Sequence, residues 1–182
     1  TRLLCTMSHT SPAPLGVPPK VDLGDALRRT MRCLASPVTV VTARAGEAVR
    51  GATIGAVTSV SLDPPLVAFN VIHGTGLHAV LTEAEAFCIH LLHAGQADLA
   101  SHFATPDLTS AEQLGGLDVR PNGAGVPVLA GTMGVLHCRL WARHAAGDHD
   151  LVLGQVERIE AGVGEDPLLY YARSYRTVGP AL

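Results

Sequence analysis

The chain has 182 residues, 47% of them hydrophobic and only 16% charged, so it can build one packed core and is not a disordered chain. A formal charge of −3 with no long basic run removes the footprint of a nucleic-acid binder, and no apolar run approaches the length of a membrane span. Aromatic residues make up just 4%, which leaves Val, Leu and Ala to fill the interior.

Residues 1–20, "TRLLCTMSHTSPAPLGVPPK", carry four prolines and read as a flexible arm ahead of a single domain at 21–182. Leu3-Leu4-Cys5 has no long apolar core before the cysteine and is rejected as a lipoprotein signal. The spacing predicts a helix over 21–37, with Leu23, Ala26, Leu27, Met31 and Leu34 on one face, Asp22 as N-cap and Pro37 as stop. A β-branched strand, 38–44, follows and turns at Ala45-Gly46-Glu47. Residues 48–62 read as one longer strand loosened by Gly51 and Gly55. Asp63-Pro64-Pro65 breaks it, and 66–72 returns as a buried strand.

A short helix is expected near 76–82, a strand at 86–92 and a second helix at 94–104. Residues 105–132 read as a loop-rich crossing, and two long strands, 133–144 and 149–160, are joined through Gly147. The short piece "PLLYYARSYRTV" closes the chain. About six strands with short helices and no regular βα alternation predict a mainly β fold, a closed or nearly closed barrel.

Several motifs carry less than they first suggest. Gly74, Gly76 and Ala79 match G-x-G-x-x-A between a strand and a helix. A dinucleotide fold also needs an acidic residue about 20 positions on, where Leu91-Leu92-His93 stand, and further βα units, which do not follow. Amides at such a helix start, with Thr75, could still hold a phosphate. Cys88, His90 and His93 do not share one strand face, so no metal set is marked by spacing. His137 and Cys138 are adjacent and point to opposite faces. Ser59 and Ser61 lie outside any G-x-S-x-G nucleophile motif. Cys5, Cys33, Cys88 and Cys138 form no C-x-x-C pair; the last three lie in apolar, periodic segments, and buried, reduced thiols there imply a cytoplasmic protein.

From about Ala26 to Val178 the sequence resembles the short-chain flavin reductase family, whose fold is the six-stranded FMN-binding split barrel. The resemblance rests on the order of "SPVTVVTA", "SVSLDPPLV", "FCIHLLHAGQADLASHFA", "GVPVLAGTMGVLHCRL", "GDHDLVLGQV" and "PLLYYARSY". It implies an NAD(P)H:flavin oxidoreductase that moves a hydride from NADH or NADPH to FMN or FAD. It further implies a homodimer with flavin at the subunit interface, often supplying reduced flavin to a partner monooxygenase. Thr53, Ile54, Gly55 and Ala56 match the segment that runs along the flavin, and Ser59, Val60 and Ser61 a second contact segment. Thr75-Gly76 falls where phosphate is held. Gly147, Asp148 and His149 match the Gly-Asp-His element on the nicotinamide side, which makes His149 the candidate catalytic residue.

The chain departs from the pattern at three places. Many relatives carry two serines where Gly55-Ala56 stand, and Thr-Gly where Ser36-Pro37 stand. The 75–78 junction also lacks a basic residue, since Leu77 and His78 fill it, so a phosphate there would rest on amides, Thr75 and His78. The opposing reading is a split-barrel flavin- or haem-binding protein without turnover.

Overall fold

The computed structural model describes residues 22–164 and 166–180; the arm expected at 1–20, and Cys5 within it, lie outside the described residues. The elements run α1 (Leu23–Met31), β1 (Ser36–Pro37), β2 (Thr39–Ala45), β3 (Ala48–Ile54), β4 (Thr58–Leu62), β5 (Pro65–Ile72), α2 (Gly76–Leu81) and β6 (Ala86–Leu91). A 3₁₀ turn at Ala94–Gln96 leads into α3 (Ala97–Phe103), then come α4 (Ser110–Leu114), β7 (Val119–Pro121), β8 (Pro127–Leu129), β9 (Gly134–Ala146), β10 (His149–Ala161), β11 (Leu169–Tyr171) and β12 (Ser174–Arg176).

The main sheet has seven strands in the order β3-β2-β6-β9-β10-β5-β4, all antiparallel. The fold is therefore mainly β with short helices, and the absence of parallel βαβ pairing among the described residues disposes of the dinucleotide-fold motif. The strand count differs from six because the single strand expected over 48–62 is two. β3 pairs with β2 and β4 pairs with β5, at opposite edges of the sheet.

That break has a geometric consequence. Six inter-strand spacings would separate the edges of a flat sheet by about 29 Å. The link Gly55-Ala56-Val57 can reach only about 14 Å from Ile54 to Thr58. The sheet must therefore curl until its two edges meet at this corner.

Inside the curl, Val41, Phe69, Phe87, Ile89 and Val152 form the core, and Leu77, Val80 and Leu81 of α2 close it. Phe69 and Phe87 meet edge to face at 5.3 Å. Gly154 makes room for this pair, since a Cβ there would lie 2.2 Å from Phe87 Cζ. A second cluster, with Val38, Val40, Leu92, Ala100 and Phe103, seats α3 on the outer face of β2.

α1 is capped by Asp22, whose side chain accepts from the Gly24 and Asp25 amides at 2.9 and 3.3 Å. It ends at Met31, well before Pro37. Ser36 and Pro37 pair with Tyr170 and Leu169, and the residue before a proline prefers extended backbone. The predicted apolar stripe is real but faces outward: Leu23 is 78% exposed, and Leu27, Met31 and Leu34 are exposed as well. The crossing at 105–132 contains more structure than its glycines and prolines suggest, with α4 and the β7–β8 pair. Thr109 and Glu112 close a capping box at α4. Among the described residues no helix is long and apolar enough to cross a membrane.

Candidate active site

At the corner where the sheet edges meet, Thr53, Ile54, Gly55 and Ala56 line one wall of an open cleft of about 510 Å³. Its other wall comes from the far side of the sheet: Asn70 and Ile72 of β5, Ala146 of β9 and His149 of β10. The register explains the meeting. His149 pairs with both Ile72 and Ala146, so the start of β10 is held at the end of β5. The curl then carries this end to the Gly55 corner.

Gly147 and Asp148 are the two residues that join β9 to β10. Gly147 has φ +68° and Asp148 does not share the left-handed region, the pattern of a II′ hairpin turn. The His149 Nδ1–H donates to Asp148 Oδ1 at 2.7 Å, fixing the ring and leaving Nε2 for a ligand. That hydrogen bond, then the imidazole's charge, holds the Asp148 carboxyl below the usual carboxylate range.

The side chains of the first wall are partly engaged elsewhere. Thr53 Oγ1 donates to Ala100 O at 2.6 Å and so docks α3, while the Ile54 carbonyl accepts from Thr39 Oγ1 at 2.8 Å. What β3 offers the cleft is thus mainly backbone, most openly at exposed Gly55 and Ala56. Ser59, Val60 and Ser61 stand apart on β4 and do not line this cleft. Ser61 Oγ accepts from the Asp63 amide at 3.2 Å, and a register shift lies between Ser59 and Ser61.

A second cavity of about 410 Å³ lies further along β3, lined by Arg50, Thr75, Gly76, Thr105, Thr109 and Gln113 among others. Thr75 is the N-cap of α2: its hydroxyl accepts from the His78 amide at 3.3 Å and donates to Ile72 O at 3.0 Å. That leaves the Gly76 and Leu77 amides with no acceptor inside the helix. The junction also has a cation after all. Arg50 crosses from β3, its Nε only 3.0 Å from where a Gly76 Cβ would stand. Its guanidinium bonds Val49 O at 2.8 Å and Ser110 Oγ. Local sequence around residue 75 does not show this, because the pairing of distant segments supplies it.

The metal sets weighed from the sequence dissolve. His90 is fully buried, with Nδ1–H donating to Val40 O at 2.9 Å and Nε2 accepting from the Leu129 amide at 3.1 Å. His93 caps the 3₁₀ turn. Cys88 faces His137 across β6 and β9, Sγ to Nδ1 3.4 Å, and burial pushes its thiol up to about 12.

A mainly β, antiparallel fold of this kind is shared with solved flavin reductases. Residues 31–179 match the family model of the flavin reductase like domain, and the chain belongs to that family. The reductase component of 4-hydroxyphenylacetate 3-monooxygenase from Thermus thermophilus is 40% identical over 156 residues, 84% of this chain and 95% of that protein. The NADH:riboflavin 5′-phosphate oxidoreductase of Streptomyces pristinaespiralis is 40% identical over 158 residues, 85% of this chain and 88% of that protein. The solved NADH:FAD oxidoreductase of Streptomyces globisporus, in complex with NAD and FAD fragments, is similar with a TM-score of 0.80 at 33% identity. It covers 88% of this chain and 96% of that one.

Proposed function

We propose that the protein is an NADH- or NADPH-dependent reductase of FMN or FAD, built on a split barrel, with its active site in the cleft between Gly55-Ala56 and His149. The observation that carries this is the cleft itself: it joins two segments about ninety residues apart that the family resemblance had marked separately. Its donor set suits a flat heteroaromatic ring, with exposed backbone at 55–56, the Asn70 amide, an apolar Ile72 and one imidazole.

Flavin and nicotinamide, when bound, supply the hydride acceptor and donor. The chain's task is placement. Gly55 and Ala56 let a ring approach the backbone closely. His149, held by Asp148, orients the nicotinamide at the cleft mouth, and the open Gly147 turn keeps that approach clear. Amides along this wall stabilise negative charge developing on the ring. Thr75 serves by capping α2. The Gly76 and Leu77 amides and Arg50 then hold the phosphate-bearing end.

A second subunit completes the site. The exposed stripe Leu23, Leu27 and Met31, with Val60 and Leu62 on edge strand β4, gives an apolar face suited to a homodimer. Leu62 is 88% exposed in the single chain. Relatives named as monooxygenase components support a partner monooxygenase as the consumer of reduced flavin. Unpaired Cys88 and Cys138, buried on adjacent strands, suit the reducing cytoplasm.

Mixing purified protein, FMN or FAD and NADH under air tests the reading. Catalytic loss of the nicotinamide absorbance is expected. His149→Ala should slow flavin reduction and weaken nicotinamide use while flavin affinity holds. A coloured protein that never consumes NADH would establish the non-catalytic flavin- or haem-binding alternative instead.

A further inference from the structure

Beside the cleft, but not lining it, stand two histidines and an aspartate that the reductase reading leaves without a role. His73 follows β5, His78 lies in α2 and Asp150 opens β10 opposite Val71. The chain leaving β5 doubles back into α2, which brings both imidazoles to one carboxylate. His73 Nε2 lies 2.8 Å from Asp150 Oδ1, and His78 Nε2 lies 3.5 Å from Oδ2. The two rings sit 4.9 Å apart, centroid to centroid. All three potential ligand atoms fall within 4.8 Å of one another.

We propose that His73, His78 and Asp150 form a binding site for a divalent transition metal of the zinc type. Tetrahedral zinc with bonds of about 2.0–2.1 Å separates its ligand atoms by about 3.3 Å, and the two nitrogen–oxygen separations bracket that value. Two imidazoles and one carboxylate suit zinc; magnesium and calcium call for more oxygens. The fourth corner is left to water. Asp150 is nearly buried and His78 half-buried, so the ligands are partly preformed by the fold. Arg143, 3.7 Å from Asp150 Oδ2, balances the carboxylate when no metal is bound.

Without metal, His73 Nε2–H donates to Asp150; to offer Nε2 to a metal the neutral ring carries its proton on Nδ1 instead. A bound ion would fasten residues 72–78 to β10 and link the α2 start to the His149 turn. The site does not depend on flavin chemistry, and its test needs none.

The purified full chain is titrated with zinc against a chromophoric chelator, and its melting is followed with and without zinc. One zinc per chain and a melting midpoint that rises with zinc are expected. His73→Asn and His78→Asn keep an amide for Asp150 but remove a good zinc ligand. Each should weaken uptake by at least about tenfold. His144→Asn, on exposed β9 outside the cluster, should leave uptake unchanged. Cobalt(II) on the unmutated chain should give the intense visible bands of a four-coordinate site and be displaced by zinc, a readout independent of variant folding. No uptake by the unmutated chain, undiminished uptake by both asparagine variants, equal loss in His144→Asn, or a weak six-coordinate cobalt spectrum would each overturn the site.

Discussion

The buried histidine of β6 sets a measurable limit on stability in mild acid. His90 has no exposed surface, and its two ring nitrogens are both committed, one donating to Val40 O and one accepting from the Leu129 amide. A second proton would land on Nε2, facing an N–H that now points at it, in a site with no exposed surface. Burial is the main cause that lowers its pKa from 6.5 to about 4, opposed by the bond to Val40. Below pH 6.5 the unfolded chain takes up this proton and the folded chain does not. Stability is therefore full above pH 6.5 and falls as pH drops towards the folded value. The slope is about 1.4 kcal/mol per pH unit, so about 2 kcal/mol is lost by pH 5. His137, also lowered mainly by burial, adds in the same direction. In His90→Gln the amide can still accept from Leu129. The variant should be about 1–3 kcal/mol less stable at pH 7.5 because one buried bond is lost. It should also show a shallower decline to pH 5. Urea unfolding of both proteins at pH 7.5, 6.5, 5.5 and 5.0 measures this. Parallel stability curves would refute the reasoning.

Three further substitutions or treatments probe other parts of the molecule. Gly154→Ala drives a methyl to 2.2 Å from Phe87 Cζ and should cost about 1–3 kcal/mol or more in urea unfolding, as overpacking does. Cys88 and Cys138, both pushed up to about 12 chiefly by burial, should resist iodoacetamide in the native protein while exposed Cys33 is alkylated, as peptide mass spectrometry would show. Arg50→Met should weaken FMN about ten- to a hundredfold by removing a charge-assisted bond. Riboflavin, which lacks the phosphate, should bind nearly as before in fluorescence titrations, and equal loss for both would remove Arg50 from the phosphate site.

Local patterns carried the elements, and distant pairings carried most of what surprised. Asp22 and its leucines announce α1, and Gly147 between two alternating runs announces the β9–β10 hairpin. The outward turn of the α1 stripe was not legible, because an apolar face states that it needs covering and not by what. The threonine and glutamate of "TSAE" at 109–112 spell the capping box of α4, a short signal hidden among loop-forming glycines and prolines. At the site, the Gly-Asp-His turn was visible, whereas Arg50 was not: it lies twenty-six residues before Gly76 and reaches it only through the packing of β3 against α2. Asn70 was missed, because 66–72 reads simply as a buried strand and only the pairing of β5 with β10 places it in the cleft beside His149.

Gly55 raises the question of what a glycine does at the corner that both closes the sheet and opens the site. Its φ is outside the left-handed region, so the backbone there does not demand glycine. A Cβ would meet Ser36 Oγ at 3.2 Å and nothing nearer, a hydroxyl that can rotate aside. Folding alone therefore tolerates a side chain at 55, and Gly55→Ala should change stability by no more than about 1 kcal/mol. The cleft is another matter, since Gly55 and Ala56 offer it bare backbone. An added methyl on that wall would hold a flat ring away from the amides, and flavin affinity should fall while melting hardly changes. Gly55→Ser gives the contrast: it adds the same Cβ but supplies the hydroxyl that many family members carry at this place, so binding should recover relative to alanine. Flavin fluorescence titration and thermal melting of the three proteins separate the two effects. If Gly55→Ala binds flavin as tightly as the unmutated chain, the 55–56 backbone is not a wall of the flavin site. If it melts far lower, the corner itself requires the glycine.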